Sequence, residues 1–258
     1  NKGFMGLSSI IYHRELPTAV MAVRELGHAA PAAETDGPLR LRHFRSAGLA
    51  VGGSPTLDRV PLLFNEDVTL SVARPTRTDD FTYRNGQADE VIFVSDGEGV
   101  LESLMGELPY RKGDYLIIPR SVPHRLRLGE GEHRLLIIES AGHVRTPARY
   151  RNEHGQLLEH SPFCERDLRL PETLGDYPEE EEHVLVVKRG GRLTEVTLEH
   201  HPLNVVGWDG YYYPWALNIH DFEPIVGSIH QPPPVHQTFE GDGFVVCSFV
   251  PRPFDFHP

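Results

Sequence analysis

The stretch from Asp89 to His124, DEVIFVSDGEGVLESLMGELPYRKGDYLIIPRSVPH, leaves little freedom in what this chain can fold into. Around Val91 and Phe93 the residues alternate with the period of two that marks a strand. Ser95-Asp96-Gly97-Glu98-Gly99 is a tight turn, because glycine adopts positive φ without steric cost. Val100 to Leu104 begins the return strand. Gly106 and Gly113 punctuate two further turns, and Asp114 to Ile118 is a compact apolar strand stopped by Pro119. Strands and turns packed this densely predict a small β-barrel or jelly roll.

The spacings within the stretch carry a resemblance. Six residues separate Glu90 from Gly97, five separate Gly113 from Pro119, and His124 stands five positions further on. This resembles the two signature motifs of the cupin superfamily. In that pattern a His-x-His pair and a glutamate come from the first motif and one more histidine from the second. Glu90 and His124 match two of these four positions. Tyr83, Arg84, Asn85 and Gly86 stand where the His-x-His pair belongs. A divalent iron or zinc site usually needs at least three protein ligands. The barrel therefore reads as a metal-free scaffold, with His124 a hydrogen-bonded histidine at one barrel end.

Composition narrows the function classes. With 258 residues there is enough chain for one large all-β domain or two ordinary ones. A net charge of -12 argues against a nucleic-acid groove, which needs a basic stripe. Cys164 and Cys247 are the two cysteines and lie far apart, so no disulfide scaffold is expected and a reducing cytoplasm is the natural compartment. No apolar run is long enough to span a bilayer, and no signal peptide is visible. Fifteen histidines direct attention to metal or acid–base chemistry.

Outside the core stretch, Ser9 to His13, Val68 to Ala73 and His133 to Glu139 read as strands, and Phe81 to Arg84 leads into the core. A half-buried strand is expected to begin at the alternation of Leu39, Arg40, Leu41 and Arg42. Thr18 to Leu26 is the best helix candidate. Ala141 to Asp176, with arginines interspersed among prolines, is expected to run extended over the surface. Glu179 to Glu182 reads as a solvated acidic face. Val184 to Lys188 and Leu193 to Leu198 flank Gly190-Gly191, a hairpin signal. The aromatic run Trp208 to Trp215 is of the kind that packs a core or an interface, and Phe244 to Val250 is the last expected strand. The fold expected is all-β, with a cupin-like barrel over 1–140. A wrapping linker and part of a second β domain follow over 141–258.

HSPFCERDLRLP from His160 to Pro171, and the stretch from Val205 to Pro258 containing VVGWDGYYYPWALNIHDFEPIVGSIHQPPPVHQTF, extend the resemblance. Together with the core stretch they are similar to the homogentisate 1,2-dioxygenases, from the GFMGLSSIIYHR segment onward. The resemblance implies an Fe(II)-dependent, oligomeric enzyme of tyrosine and phenylalanine catabolism. Such enzymes open the aromatic ring of homogentisate with O2 to give maleylacetoacetate. Ferrous iron held by two histidines and a carboxylate leaves positions for substrate and oxygen. Family members are longer at both ends, and their iron ligands belong to a segment following the position of Pro258. The chain is thus expected to be a fragment that holds no iron by itself. The family's acid–base histidine precedes a proline-bearing turn, and His230 matches that place, with His236 as runner-up. A histidine suits proton transfer from a phenol near neutral pH.

Other readings stay beside these. His236 and Glu240 show one isolated His-x3-Glu spacing. His200 and His201, read as adjacent on a strand, would point to opposite faces. Cys164 and Cys247 fit buried apolar positions. The alternative function is a non-catalytic cupin-like binding or scaffold protein, which the depleted ligand set would also produce.

Overall fold

The computed structural model describes residues 5–33, 38, 41–177, 182–223 and 236–249. In chain order the first strands are β1 (Ser9–His13), β2 (Val20–His28), β3 (Val60–Phe64), β4 (Val68–Ala73) and β5 (Thr82–Asn85). The core stretch yields β6 (Asp89–Asp96), β7 (Gly99–Ser103), β8 (Gly106–Tyr110) and β9 (Asp114–Ile118). Next come β10 (His124–Leu128), β11 (Arg134–Ser140), the two-residue β12 (Leu168–Arg169), β13 (His183–Arg189) and β14 (Arg192–Leu198). The last are β15 (Val205–Gly210), β16 (Trp215–Asn218), β17 (Gln237–Gly241) and β18 (Phe244–Cys247). Helical residues among those described are confined to 3-10 turns, so no helix there is long and apolar enough to cross a membrane.

Two seven-stranded sheets dominate, and the architecture is the all-β, cupin-like one expected. One runs β2-β14-β13-β5-β10-β7-β8, the other β12-β16-β9-β6-β11-β4-β3. The pairs β1–β15 and β17–β18 form two small ribbons. Alternation in the central strands sorts side chains onto two faces. Ile92 and Val94 of β6, Leu116 and Ile118 of β9, and Leu135 and Ile137 of β11 turn inward. There they meet Leu101, Leu108, Tyr110 and Leu126 from the facing sheet. Val91, Tyr115, Ile117 and Ile138 turn outward and are buried by Tyr150, Phe163, Phe222, Phe239 and Val246. The arginine- and proline-rich segment and the β17–β18 hairpin thus cover the outside of the barrel wall.

Both large sheets take strands from either side of residue 140. β13 lies parallel to β5, in register Val186 to Tyr83 and Lys188 to Asn85, and β16 closes on β9. The Gly190-Gly191 turn joins β13 and β14 with φ of 59° and 71°, the left-handed pair that a two-residue hairpin requires. Of the aromatic run, Trp208, Tyr212 and Tyr213 pack on the inner core and Trp215 on the outer.

Two local expectations fail. Thr18 to Leu26 is not a helix, because β2 occupies Val20–His28 and pairs antiparallel with β14. Valines at 20 and 23 favour a strand, and the long β14 edge supplies partners that a helix could not use. No strand begins at Leu41 or Arg42, where Leu41 is fully exposed and has no sheet edge to join; Leu39 and Arg40 lie outside the described residues.

Candidate functional site

Glu90 precedes Ile92 and Val94 on the inward face of β6, so the strand period carries its carboxylate into the barrel end. Its residue is fully buried. Arg59, in the turn before β3, grips it bidentately, Nη1 to Oε1 at 2.8 Å and Nη2 to Oε2 at 3.1 Å. Asn85, the last residue of β5, donates through Nδ2 to Glu90 Oε1 at 2.8 Å and to Glu139 Oε1 at 2.7 Å. Lys188 of β13 donates to both Glu139 oxygens, at 2.7 and 2.9 Å. Two carboxylates and two cations therefore share one enclosed space, bridged by an amide.

His124 and Tyr83 complete the wall. The strand register sets them opposite each other, with ring centroids 5.5 Å apart edge to face. His124 Nδ1 bonds the Val122 carbonyl at 2.9 Å, leaving Nε2 directed at Glu90 Oε2, 4.0 Å away. The Arg59 guanidinium lies over the Tyr83 ring, 5.5 Å from its centroid.

Burial alone would raise the Glu90 carboxyl, but the Arg59 charge and its hydrogen bonds outweigh that and hold it at about 2. Burial would likewise lower the Arg59 pKa, yet the Glu90 charge drives it upward. Desolvation lowers His124, against the opposing pull of Glu90, so its imidazole is neutral. Burial and the carboxylate charge push the Tyr83 phenol well above its ordinary value.

This donor set does not fit a metal ion. Both oxygens of Glu90 are committed to a guanidinium, and Tyr83 and Asn85 occupy the places of the missing imidazoles. Among the described residues no cluster of three His, Cys, Asp or Glu side chains is arranged to hold a metal.

The other residues singled out in the sequence lie elsewhere. His230 falls outside the described residues. His236 is buried ahead of β17, its ring 4.7 Å from that of Phe249, and its carbonyl accepts from Ser248 N at 2.8 Å. Glu240 does not turn to His236; it pairs with Arg145 Nε at 3.0 Å and takes a bond from Gln237 Nε2 at 3.2 Å. Cys164 and Cys247 are free thiols, each partly exposed.

His200 and His201 are not on a strand, because β14 ends at Leu198. His201 stacks on Tyr177 at 3.9 Å and 8°, with the His183 ring 3.9 Å away on a tilt. His183 Nε2 contacts Thr82 Oγ1 at 2.8 Å, and His201 Nδ1 accepts from Leu203 N at 3.2 Å. Desolvation, followed by the Arg125 charge and opposed by Asp80, brings His183 down to about 4. Desolvation, His183 and Arg125 bring His201 to about 3. No sequence signal marked this stack, since its members come from three separate segments.

Comparison with known proteins follows the same lines. Residues 71–219 match the family model described as homogentisate 1,2-dioxygenase N-terminal. A Saccharolobus solfataricus protein, named provisionally as a dioxygenase, is 40% identical over 99% of this chain and 66% of its own length. The homogentisate 1,2-dioxygenase of Rhodopseudomonas palustris is 26% identical over 81% of this chain and 48% of its own length. The chain thus spans just under two thirds of the archaeal protein and about half of the bacterial one. Among solved structures, a cupin-2 domain protein of Shewanella frigidimarina aligns with 32% of this chain and 79% of its own. That alignment has 18% identity and a TM-score of 0.29. With more than half of its length matched by the family model, the chain belongs to the homogentisate 1,2-dioxygenase N-terminal family.

Proposed function

We propose that this chain is part of an Fe(II)-dependent ring-cleaving dioxygenase that opens homogentisate with O2 to maleylacetoacetate in tyrosine and phenylalanine catabolism. The observation that carries the reading is the family match over 71–219, with similarity to the archaeal relative continuing through nearly the whole chain. Within that reading residues 1–140 supply most strands of the barrel, 141–258 complete its sheets through β13, β14 and β16 and lead towards the catalytic part, and the iron ligands follow position 258 in the complete protein. The enzyme works in a reducing cytoplasm, in keeping with two free thiols, and as a homo-oligomer.

His230 is the proposed acid–base residue. A phenol titrates near pKa 10, so losing its proton at neutral pH is uphill, and a histidine held beside it lowers that cost. In the complete protein, His230→Gln is expected to keep its iron and lower turnover about 100-fold, more than it weakens substrate binding. His236→Gln is expected to do less, as a buried side chain packed on Phe249. Oxygen uptake with homogentisate, with iron quantified in each variant, decides between them. Near-normal turnover of His230→Gln, or loss of its iron, removes the assignment.

The second reading, a non-catalytic cupin-like scaffold, draws on the barrel end, where every carboxylate is already paired. Iron binding and oxygen uptake by the complete protein separate the two. The 258-residue chain alone is expected to retain no ferrous iron and to consume no oxygen with homogentisate; stoichiometric iron in it would overturn the placement of the ligands.

A further inference from the structure

The interior of this barrel is shaped around a cation, and the cation comes from the chain itself. Glu90 Oε1 lies 2.8 Å and Glu139 Oε1 4.0 Å from the same nitrogen, Arg59 Nη1. The second guanidinium nitrogen takes the other Glu90 oxygen, and the ring of Tyr83 covers the planar group. The Arg59 side chain is 8% exposed. Glu90 and His124 occupy the two positions that the cupin-like spacing assigned to ligands.

The loop that delivers Arg59 is built for the purpose. Ser54 Oγ accepts from Thr56 N at 3.0 Å and Leu57 N at 2.8 Å, while Ser54 N donates to Asp58 Oδ2 at 2.7 Å. Gly53 has φ of 81°, and a Cβ there would collide with the Asp58 carboxylate. Arg59 Nε then donates to the Pro55 carbonyl at 3.0 Å, which fixes the guanidinium plane.

We infer that Arg59 is a resident cation standing where a cupin-type barrel would hold a metal ion, and that its guanidinium keeps metal out. With Arg59 in place, no three His, Cys, Asp or Glu donors converge among the described residues; without it, Glu90 and Glu139 face only one ammonium, Lys188, and are free to turn towards the His124 Nε2 that already points at Glu90. Carboxylate oxygens and an imidazole nitrogen are the donor types that a first-row divalent ion accepts. The inference concerns the barrel interior and does not rest on the reaction proposed for the complete enzyme.

Cobalt(II) tests it, because its visible absorption reports coordination without any activity. The full chain is titrated as wild type, Arg59→Ala, Arg59→Lys and the double variant Arg59→Ala/Glu90→Gln. The expected result is a saturable cobalt band and a raised melting temperature in Arg59→Ala only. Silence in a folded Arg59→Ala overturns the inference. So does a band that persists undiminished in the double variant, since the metal would then be held elsewhere. Cobalt binding by wild type overturns it as well. Should Arg59→Ala not fold, Arg59→Met, Glu90→Gln and their combination decide instead. The combination is expected to regain most of the melting temperature lost in Glu90→Gln, and no recovery overturns the pairing on which the inference stands.

Discussion

Two polar clusters of this molecule, the barrel end and the half-buried Tyr177–His201–His183 stack, solve the same physical problem in opposite ways. At the barrel end, Glu90, Glu139, Arg59 and Lys188 remain charged and compensate one another through direct hydrogen bonds. In the Tyr177–His201–His183 stack the ionisable groups give up their charge, and both imidazoles are neutral well below their ordinary range. Compensation needs several side chains in fixed positions, and losing one strands the others. Neutralisation needs only burial and stacking, so each member is more nearly replaceable.

The largest effect expected from this contrast is that of Glu90→Gln. It leaves the Arg59 guanidinium buried without its counter-charge and should cost about 3 to 5 kcal/mol in denaturant unfolding. A loss no larger than that of a stack variant would erase the distinction. Lys188→Met comes next, at about 1.5 to 3 kcal/mol, because Glu139 keeps its bond from Asn85 but loses two charged ones.

Acid should expose the stack before the barrel end. The unfolded chain protonates its histidines near pH 6.5. His183 and His201 stay neutral in the fold until about 4 and 3. The unfolded state therefore binds more protons, and stability drains away as the pH falls from 6.5 towards those values. The depressed Glu90 works with the same sign but lower down. Its contribution is complete above the unfolded glutamate pKa and is lost as the pH falls towards about 2. Unfolding curves at pH 6.5 and 5 should differ in wild type and differ less in a His183→Phe/His201→Phe variant; equal slopes in both would detach the histidines from the acid response. The smallest effect is that of His201→Phe at neutral pH, about 1 kcal/mol. The ring keeps its stacking partner Tyr177 and loses one acceptor for Leu203 N.

What could be read in advance follows how local each feature is. β6 to β9 were legible because their alternation and turns are written in consecutive residues, and the resemblance to the cupin motifs singled out Glu90 and His124. Their partners were not legible. Arg59 is 31 residues before Glu90, and Lys188 is 49 after Glu139, with no pattern in either neighbourhood to announce the contact. The helix expected over Thr18 to Leu26 fails for a related reason. The strand that forms there depends on β14, whose partnership no local window contains. His200 and His201 read as a strand pair on opposite faces, but β14 ends at Leu198, and beyond it the chain is free of the strand alternation.

The outermost strands have a consequence for how the chain comes into being. Ser9 pairs with Gly210, and Val20 with Leu198, so strands made early in this stretch are answered by strands made long after them. At about 5 to 20 residues per second, β1 emerges roughly 10 to 40 seconds before its partner exists. The apolar outside of the β9–β6–β11 wall waits similarly for Phe222, Phe239 and Val246. A nascent chain stalled near residue 200 would therefore present unpaired strand edges and an uncovered greasy surface together, the combination that invites misassembly during synthesis.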